Sequence, residues 1–409
     1  MTTPRIVIIG GGPTGLGAAH RLNELGHENW VLLERSEKFG GLASTAIDDQ
    51  GFLWDLGGHV LFSHYEYFDA LLNDLLKEEW FHHIREAWIW THNRWIPYPF
   101  QNNLWRLPEK DRKKCIDGLT HLQDNPPTKE IETFDDWITC SLGEGIADVF
   151  MRPYNFKVWA YHPHELSAGW IGDRVATTNL KRLIANTQSK TDDVGWGPNS
   201  TFRFPASGGT GRIWSELALR LPENNLIASK AATTINPHKK TVSCEDGEEF
   251  NYDALISTMP MNELLEHLTD TSLFPEESKE FRWSSTHIIG IGLKGNPPEQ
   301  LTQKCWMYFP DVNVPFYRVT IFSNYAPSNV PLPGKQWSLL CEVSESEKKP
   351  VNRSKVLKET IDGLLKVGLI KSSDQIVSQW TTFLPYGYPT PFIGRDELLT
   401  KIEPSLRSM

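Results

Sequence analysis

A glycine-rich segment near the N-terminus has a spacing that is typical of a phosphate-binding turn. Gly10, Gly12 and Gly15 follow the pattern G-x-G-x-x-G. Pro13 and Thr14 occupy the two positions before the third glycine. The first glycine permits a tight turn, the second lets the backbone approach a pyrophosphate, and the third lets a helix pack closely on a sheet. These five residues are therefore predicted to bind the pyrophosphate of a dinucleotide.

The residues around this turn indicate a βαβ unit of the Rossmann type. Residues 6–9 and 30–33 are apolar runs that predict two buried strands. Residues 14–25 have a helical pattern that ends at Gly26, and the helix N-terminus would offer free N–H groups to a phosphate. Glu34 closes the second strand, where its carboxylate would accept both hydroxyls of a ribose and would repel a 2′-phosphate.

Two further glycine pairs indicate FAD rather than NAD. Glu34 leads into Gly40-Gly41, and an acid followed by such a turn is typical of flavoproteins related to amine oxidases. Gly57-Gly58 forms a third flexible stretch, which could lie against an isoalloxazine ring where a larger side chain would collide. The residues predicted to bind FAD are Gly10, Gly12, Pro13, Thr14, Gly15, Glu34, Arg35, Gly40, Gly41, Leu42, Gly57, Gly58 and His59.

The composition restricts the classes of partner. The 409 residues carry a formal net charge of −10, which argues against binding to nucleic acid or to an anionic membrane surface, because both need a basic face. No stretch of sequence is long and apolar enough to span a bilayer. The 5 cysteines are widely spaced and form no C-x-x-C pattern. We therefore expect neither a disulfide framework nor a metal site, and a cytoplasmic location.

The pattern along the chain predicts a mixed α/β (α+β) fold of three domains. A discontinuous Rossmann-like FAD-binding domain would comprise residues 1–95, 205–260 and 385–409. A helical insertion domain that binds substrate would comprise residues 102–200, with helices over 109–123, 133–141 and 170–186. An antiparallel β-sheet domain would comprise residues 261–384, with strands over 286–293, 306–309, 317–322 and 337–343 and a helix over 355–366.

Several longer strings occur in one order along nearly the whole chain. They are GGHVLFSHY at 57–65, WIPYPFQNN at 95–103, FMRPYNFKVW at 150–159, WMYFP at 306–310, FYR at 316–318, FSNY at 322–325 and GYPT at 387–390. In these strings the chain resembles the UDP-galactopyranose mutases, and specifically their eukaryotic branch. Strings of this length are far more specific than a dinucleotide-binding pattern.

The resemblance implies an isomerase that uses FAD without net redox change. Members of the family interconvert UDP-galactopyranose and UDP-galactofuranose. Their flavin is first reduced, in the eukaryotic branch by NADPH, and its N5 then attacks the anomeric carbon as UDP leaves. The sugar ring opens and recloses on the other hydroxyl, and UDP returns. The implied partners are thus the UDP-sugar and NADPH, together with a possible second copy of the chain in a homo-oligomer.

The resemblance also implies roles for individual residues. The matching catalytic residues are Arg174, Arg318, His59 and Asn199: the two arginines would bind the diphosphate, His59 would assist proton movement, and Asn199 would lie near the sugar and the flavin. The matching substrate-binding residues are Tyr98, Gln101, Phe150, Tyr154, Asn155, Trp159, Arg174, Asn199, Trp306, Tyr308, Arg318, Tyr325 and Tyr388. Among these, Phe150 and Asn155 match uridine contacts, and Tyr308 and Tyr388 match tyrosines that donate to the phosphates. Phe150, Tyr154, Asn155 and Trp159 are spaced to share one helix face.

Two departures from the family pattern leave alternatives open. Relatives continue for several dozen residues past the position of Met409, and the absence of their last strand and helix would weaken flavin binding. Ser207 stands where relatives tend to carry Arg. The first alternative is an amine-oxidase-like FAD oxidoreductase, which would not need the arginines and tyrosines assigned to the diphosphate. The second is a truncated, non-catalytic protein that binds UDP-sugar or FAD.

Overall fold

The fold is that of a computed structural model, which describes residues 3–197, 199–270, 274 and 276–409. The predicted mixed α/β class is confirmed: helices pack with a four-stranded, a three-stranded and a seven-stranded sheet. In these residues no helix combines the length and the apolar character needed to cross a membrane.

The elements of the described residues follow in chain order. The helices are α1 (Pro13–Glu24), α2 (Glu66–Leu76), α3 (Glu109–Asp124), α4 (Phe134–Ile146), α5 (Arg152–Trp159), α6 (Leu180–Ser189), α7 (Gly211–Leu219), α8 (Met261–His267), α9 (Glu277–Glu280), α10 (Val356–Lys366) and α11 (Arg395–Ser408). The strands are β1 (Ile6–Ile9), β2 (Trp30–Leu33), β3 (Thr45–Ile47), β4 (Leu53–Asp55), β5 (Trp80–Ile84), β6 (Ala87–Thr91), β7 (Arg94–Pro97), β8 (Thr201–Pro205), β9 (Leu226–Ile227), β10 (Ala232–Asn236), β11 (Thr241–Cys244), β12 (Glu249–Asn251), β13 (Ala254–Ser257), β14 (Trp283–Lys294), β15 (Trp306–Tyr308), β16 (Arg318–Ile321), β17 (Gln336–Glu345) and β18 (Ile376–Pro389).

The N-terminal strand is the centre of a parallel four-stranded sheet with the order β13-β1-β2-β9. Alternate residues of a strand face opposite sides, and both sides are covered here. Ile8 packs with α1 and α7, whereas Val7 and Ile9 pack with Leu398 and Ile402 of α11. This two-sided burial explains why the strand is apolar at every position. The predicted βαβ unit is confirmed.

The seven-stranded sheet has the order β18-β14-β17-β16-β15-β6-β7. It was expected to be antiparallel, but β15 and β6 pair in parallel. β6 and β7 lie at the end of segment 1–95 of the predicted cofactor domain and nevertheless belong to this sheet. β18 was not predicted, because Pro385 and Gly387 are residues that disfavour strands. β18 tolerates them because it is an edge strand, in which one row of backbone groups has no partner in the sheet.

The helical segment agrees with the predicted helices except at two places. The expected helix over 170–186 is wrong in its first half: α6 begins only after Asn179, whose side chain caps it. Gly172 has a φ of 45°, which interrupts a helix, and residues 172–174 form a single tight turn instead. Residues Ala147–Met151 form a π-helical turn, so Phe150 lies just before α5 and not within it, although its ring still stacks on Tyr154 at 5.0 Å.

Two glycines of the central strand β14 let aromatic rings lie flat on the sheet. A Cβ at Gly290 would lie 2.5 Å from the Trp54 ring, and one at Gly292 would lie 2.7 Å from the Phe52 ring. The two rings stack on each other at 5.8 Å, and Trp54 also stacks on Trp380 at 6.3 Å. Close approach of ring and backbone thus joins the Leu53–Asp55 strand to the large sheet.

Gly290→Ala tests this close packing. Because the added methyl would overlap the Trp54 ring, we expect the free energy of unfolding to fall by about 1–3 kcal/mol, measured by urea denaturation. Gly17→Ala in α1 is the control, since no atom lies within 4 Å of its Cβ position. That variant should keep or slightly raise stability. Equal stability of Gly290→Ala and the wild type would contradict the packing described.

Candidate functional site

The G-x-G-x-x-G turn has the close contacts that the sequence predicts. Gly10 has a φ of 99°, and a Cβ at Gly15 would lie 1.9 Å from the Gly10 carbonyl oxygen. Gly12 is the N-cap of α1, and no side chain caps that end. Pro13 stands in the first turn, which carries no acidic residue. The N-terminus of α1 therefore keeps backbone N–H groups for an anion.

Glu34 is buried at the end of β2 and already has two backbone partners. Its carboxylate accepts hydrogen bonds from the Gly11 N–H at 2.6 Å and from the Ser36 N–H at 2.8 Å. A carboxylate has about four acceptor positions, so the hydroxyls of a ribose can still be accepted. Arg35, by contrast, is exposed and lies 3.9 Å from Glu263; Thr14 and Leu42 are also exposed.

The remaining predicted glycines bring three loops to the end of β1. A Cβ at Gly41 would lie 2.9 Å from the Gly12 Cα, so the two glycine turns are in contact. Gly40 and Gly57 have φ values of 125° and 145°. Near Gly57, the buried Nδ1 of His59 has no hydrogen-bond partner among the described residues. Glycine turns without side chains and a buried unpaired polar atom suit a bound dinucleotide with a flat ring, so these residues fit FAD.

Asp55 ties these loops together. Its carboxylate is fully buried and accepts hydrogen bonds from the Thr45 hydroxyl and the Thr210 N–H. A Cβ at Gly209 would lie 2.5 Å from an Asp55 oxygen. Burial raises the pKa of the Asp55 carboxyl to about 7, although the two donors favour its charged form. The residue immediately precedes Leu56-Gly57, so its bonds hold the third glycine loop against the start of α7.

Arg318 and Glu342 form a buried, bidentate ion pair beside that loop. Arg318 Nε and Nη2 donate to the two Glu342 oxygens at 2.7 and 2.8 Å. The Gly58 N–H and the Tyr317 hydroxyl donate to the same carboxylate at 3.0 and 2.6 Å. Although burial opposes both charges, the pKa of Glu342 is lowered by Arg318 and that of Arg318 is raised by Glu342. A Cβ at Gly58 would lie 3.2 Å from the Arg318 guanidinium carbon.

His59 lies against this ion pair. Burial lowers the pKa of His59, the Glu342 carboxylate opposes that effect, and the Arg318 charge adds to it. The imidazole is therefore neutral near pH 7. A neutral imidazole has one unprotonated nitrogen that can accept a proton. The role of His59 in proton movement stays a prediction.

An aromatic wall begins beside Arg318, whose partner on the neighbouring strand is Tyr308. Tyr308 packs against Tyr98 at 5.9 Å and against Tyr154 at 5.2 Å between ring centroids. Tyr154 stacks on Phe150 at 5.0 Å. Burial raises the pKa of Tyr98, Tyr154 and Tyr308, so their hydroxyls stay protonated and can donate to phosphate oxygens.

A second aromatic group continues the wall. Trp159 packs against Tyr388 at 5.9 Å and against Trp170 at 5.0 Å. Arg174 is exposed and donates to the Trp170 carbonyl oxygen at 2.6 Å. The two arginines predicted to bind the diphosphate are therefore held in different ways. Arg318 is fixed by its ion pair with Glu342, whereas Arg174 is hydrogen-bonded to the helical segment. The pairing of the two arginines on one diphosphate stays a prediction.

Asn199 and Arg85 form a polar edge next to Tyr98. Arg85 donates to the Asn199 side chain and to the Trp196 carbonyl oxygen, and its guanidinium lies 5.0 Å from the centre of the Tyr98 ring. This places Asn199 beside the tyrosines that were assigned to the substrate.

Four predicted contacts already have partners within the protein or lie in its core. Asn155 donates to the Met151 carbonyl oxygen at 2.8 Å, and Gln101 donates to the Ala176 carbonyl oxygen. Trp306 and Tyr325 are buried, and both pack on Phe202. These residues pack behind the side chains that line the site. Their direct contact with substrate stays a prediction.

The sequence reasoning missed Glu342 and Asp55. Both are acids in otherwise apolar strands, in Leu339-Leu340-Cys341-Glu342-Val343 and Leu53-Trp54-Asp55-Leu56. A charged residue at a position where the strand pattern predicts burial almost always has a partner, and that signal would have found them.

Comparison with known proteins agrees with this geometry. Residues 13–404 match the family of flavin-containing amine oxidoreductases. The crystal structure of a reduced UDP-galactopyranose mutase is 48% identical, with a TM-score of 0.96, over 100% of this chain and 87% of that chain. A putative protoporphyrinogen oxidase from Exiguobacterium sp. 255-15 is 17% identical, with a TM-score of 0.75, over 100% of this chain and 92% of that chain. The second likeness concerns the fold alone.

An L-amino acid oxidase from Cerastes cerastes also matches locally. It is 50% identical over 54 residues, which are 13% of this chain and 10% of the oxidase. Such a short match is the length of a cofactor-binding segment and carries no argument about substrate.

The Asp55 carboxyl should make stability depend on pH. Its pKa in the folded protein is about 7, above that of an unfolded aspartate. The stabilisation that the Asp55 carboxyl contributes is therefore full at low pH and is lost as the pH rises through 7. Relative to Asp55→Asn, which keeps an acceptor but does not titrate, the wild type should lose about 2 kcal/mol between pH 5 and pH 7. Urea denaturation of both proteins at the two pH values measures this; a difference that does not change with pH would contradict the assignment.

Proposed function

The chain belongs to the flavin-containing amine oxidoreductases and, among them, to the UDP-galactopyranose mutases, and on that basis we propose that it interconverts UDP-galactopyranose and UDP-galactofuranose with reduced FAD. The family makes it a flavoprotein. The isomerase activity, the nucleotide sugar and the use of NADPH as reductant are the proposal.

The observation that supports the substrate is the position of Arg318. A guanidinium on the surface of a glycine loop, with protonated tyrosines around it, suits a diphosphate better than an amine. The bidentate bond to Glu342 uses Nε and Nη2, so Nη1 remains to bind a phosphate oxygen. The pair is fixed before the ligand arrives, and a fixed donor stabilises charge that grows on a leaving diphosphate without reorganisation.

The tyrosines and the arginines would hold UDP while it is detached from the sugar. Tyr308 and Tyr388 donate to phosphate oxygens, Tyr154 offers its ring to uracil, and Trp159 closes the side of the sugar. Phe150 is buried and stacks on Phe100 at 4.3 Å and on Tyr154 at 5.0 Å, so it supports Tyr154 from behind. Retention of UDP matters, because the same diphosphate must return to the anomeric carbon after the ring has reclosed. The aromatic wall also excludes water, which would otherwise hydrolyse the detached sugar.

The glycine turns and Glu34 would hold FAD, with Gly57 and Gly58 against its ring. When bound and reduced, the flavin supplies an electron pair at N5 for the anomeric carbon. The chain's own part is to place that carbon near Gly58 and His59. The neutral His59 can then move a proton as the sugar hydroxyl gains and loses its hydrogen. Arg85 and Tyr98, at the polar edge, would face the NADPH that reduces the flavin.

The proposed function is tested on the purified 409-residue chain. We expect flavin absorption bands that bleach anaerobically with NADPH, and then conversion of UDP-galactofuranose to UDP-galactopyranose without consumption of further NADPH. Fast bleaching by an amine, with oxygen as acceptor and no mutase activity, would instead indicate an amine-oxidase-like enzyme. UDP binding by a protein that holds no flavin would indicate the non-catalytic alternative.

Arg318→Lys tests the role of the guanidinium. The lysine keeps a positive charge beside the buried Glu342 but loses the planar fork, so the protein should fold and retain flavin while kcat falls about 10²-fold or more. Arg353→Lys is the matched control, since Arg353 also pairs with a β17 acid, Glu345, but outside the site. It should leave kcat unchanged. Loss of flavin from Arg318→Lys, or full activity, would contradict this role.

A further inference from the structure

Lys157 is a buried lysine on α5 that the proposed reaction does not use. Its side chain is 4% exposed. Its Nζ donates to the carbonyl oxygens of Asp311 and Val314 at 2.9 and 3.0 Å. Both acceptors lie in the loop that joins β15 to β16. One amine therefore connects a helix of the insertion to a hairpin of the large sheet.

Each side of this connection carries a different part of the proposed substrate site. The helix carries Tyr154 and Trp159, whereas Tyr308 ends β15 and Arg318 begins β16. The residues bonded by Lys157 lie between Tyr308 and Arg318 in sequence. The helix and the hairpin meet again at the site itself, where Tyr154 packs against Tyr308 at 5.2 Å. The distance between the proposed uridine contacts on α5 and the proposed diphosphate contacts on the β15–β16 hairpin thus depends on the bonds that hold the helix and the hairpin together.

The surroundings of the Lys157 amine favour its neutral form. Burial lowers the pKa of Lys157 to about 7, the nearby Lys349 lowers it further, and Asp311 opposes both effects. Among the ion pairs of the described residues, none includes Lys157. The two carbonyl acceptors match the two N–H donors that the amine has in its neutral form.

Further hydrogen bonds hold the two elements that Lys157 connects, α5 and the β15–β16 loop. The hydroxyl of Ser344, on β17, donates to the carbonyl oxygen of Lys157. The hydroxyl of Ser346, just after β17, donates to the carbonyl oxygen of Ala160. On the other side, the Thr91 hydroxyl donates to Asp311 Oδ1 at 3.0 Å. The end of α5 and the loop after β15 are therefore each held to the large sheet, and the Lys157 amine joins them directly to each other.

We propose that Lys157 is a positioning residue for the nucleotide: its amine fixes α5 against the β15–β16 loop and so sets the distance between the uridine contacts and the diphosphate arginine. This inference rests on the proposed function, since it assumes that UDP bridges the two elements. The Lys157 amine donates to two backbone carbonyls, so it would act through α5 and the loop and not through contact with UDP or FAD. Its loss should therefore weaken nucleotide binding and leave the reduction of the flavin unaffected.

The test compares Lys157→Met with Lys157→Gln in the flavin-loaded protein. Calorimetric titration with UDP should show an affinity lower by about tenfold for Met, because a small misplacement of binding groups has effects of this order or larger. Gln is neutral and can donate to one carbonyl, so its affinity should be intermediate. The rate of flavin reduction by NADPH should equal that of the wild type in both. The Gln variant keeps the test decisive where the Met variant does not fold.

Thr133→Ala is the matched control for a general loss of stability. Thr133 caps α4 in the same helical segment through a capping box with Asp136, and its loss should lower Tm without changing UDP affinity. UDP binding by both Lys157 variants at wild-type strength would overturn the inference, and so would an equal loss of affinity in Thr133→Ala. Failure of the wild type itself to bind UDP would overturn the proposed function, and the inference with it.

Discussion

The buried ion pair between Arg318 and Glu342 is the interaction on which the site depends. It joins strands β16 and β17 of the large sheet, and through the Gly58 N–H it also holds the glycine loop that faces the cofactor position. Removing water from two charges is costly, and good geometry together with further hydrogen bonds to the ions offsets that cost. Here the Tyr317 hydroxyl and the Gly58 N–H supply such bonds to the Glu342 carboxylate. One carboxylate therefore fixes both the positive charge that we propose binds the diphosphate and the backbone that we propose lies against the flavin.

The cofactor side of the molecule is organised by close backbone contacts. Gly15 touches the Gly10 carbonyl, and Gly12 touches Gly41, so that two turns from separate parts of the chain share one surface. Asp55 adds a polar contact between the third glycine loop and the start of α7. Because a side chain at Gly15 or Gly41 would occupy the space of a neighbouring backbone, the sequence at these two positions is restricted by geometry before any ligand is considered.

The substrate side depends instead on polar bonds between distant elements. Lys157, Ser344 and Thr91 join a helix, a strand and a loop that are far apart in sequence. None of them belongs to the aromatic wall, yet that wall is formed by side chains from α5, β15, β18 and the segment after β7, which these bonds help to hold in place. In such a site the precision of the contacts is supplied by residues behind them.

The sequence by itself determined the elements whose residues follow a local rule. The strand Ile6–Ile9, helix α1 and the glycine turn between them follow from periodicity and backbone freedom, and the longer strings led to the family. The same reasoning missed β18, since proline and glycine conceal an edge strand, and it extended a helix through Gly172. Only the tertiary structure decided that Glu342 pairs with Arg318, that Asp55 meets Thr210, and that Gln101 bonds to a backbone carbonyl. The physical reason is that a hydrogen bond or an ion pair is specified by the positions of both partners, and those partners lie 24, 155 and 75 residues apart along the chain.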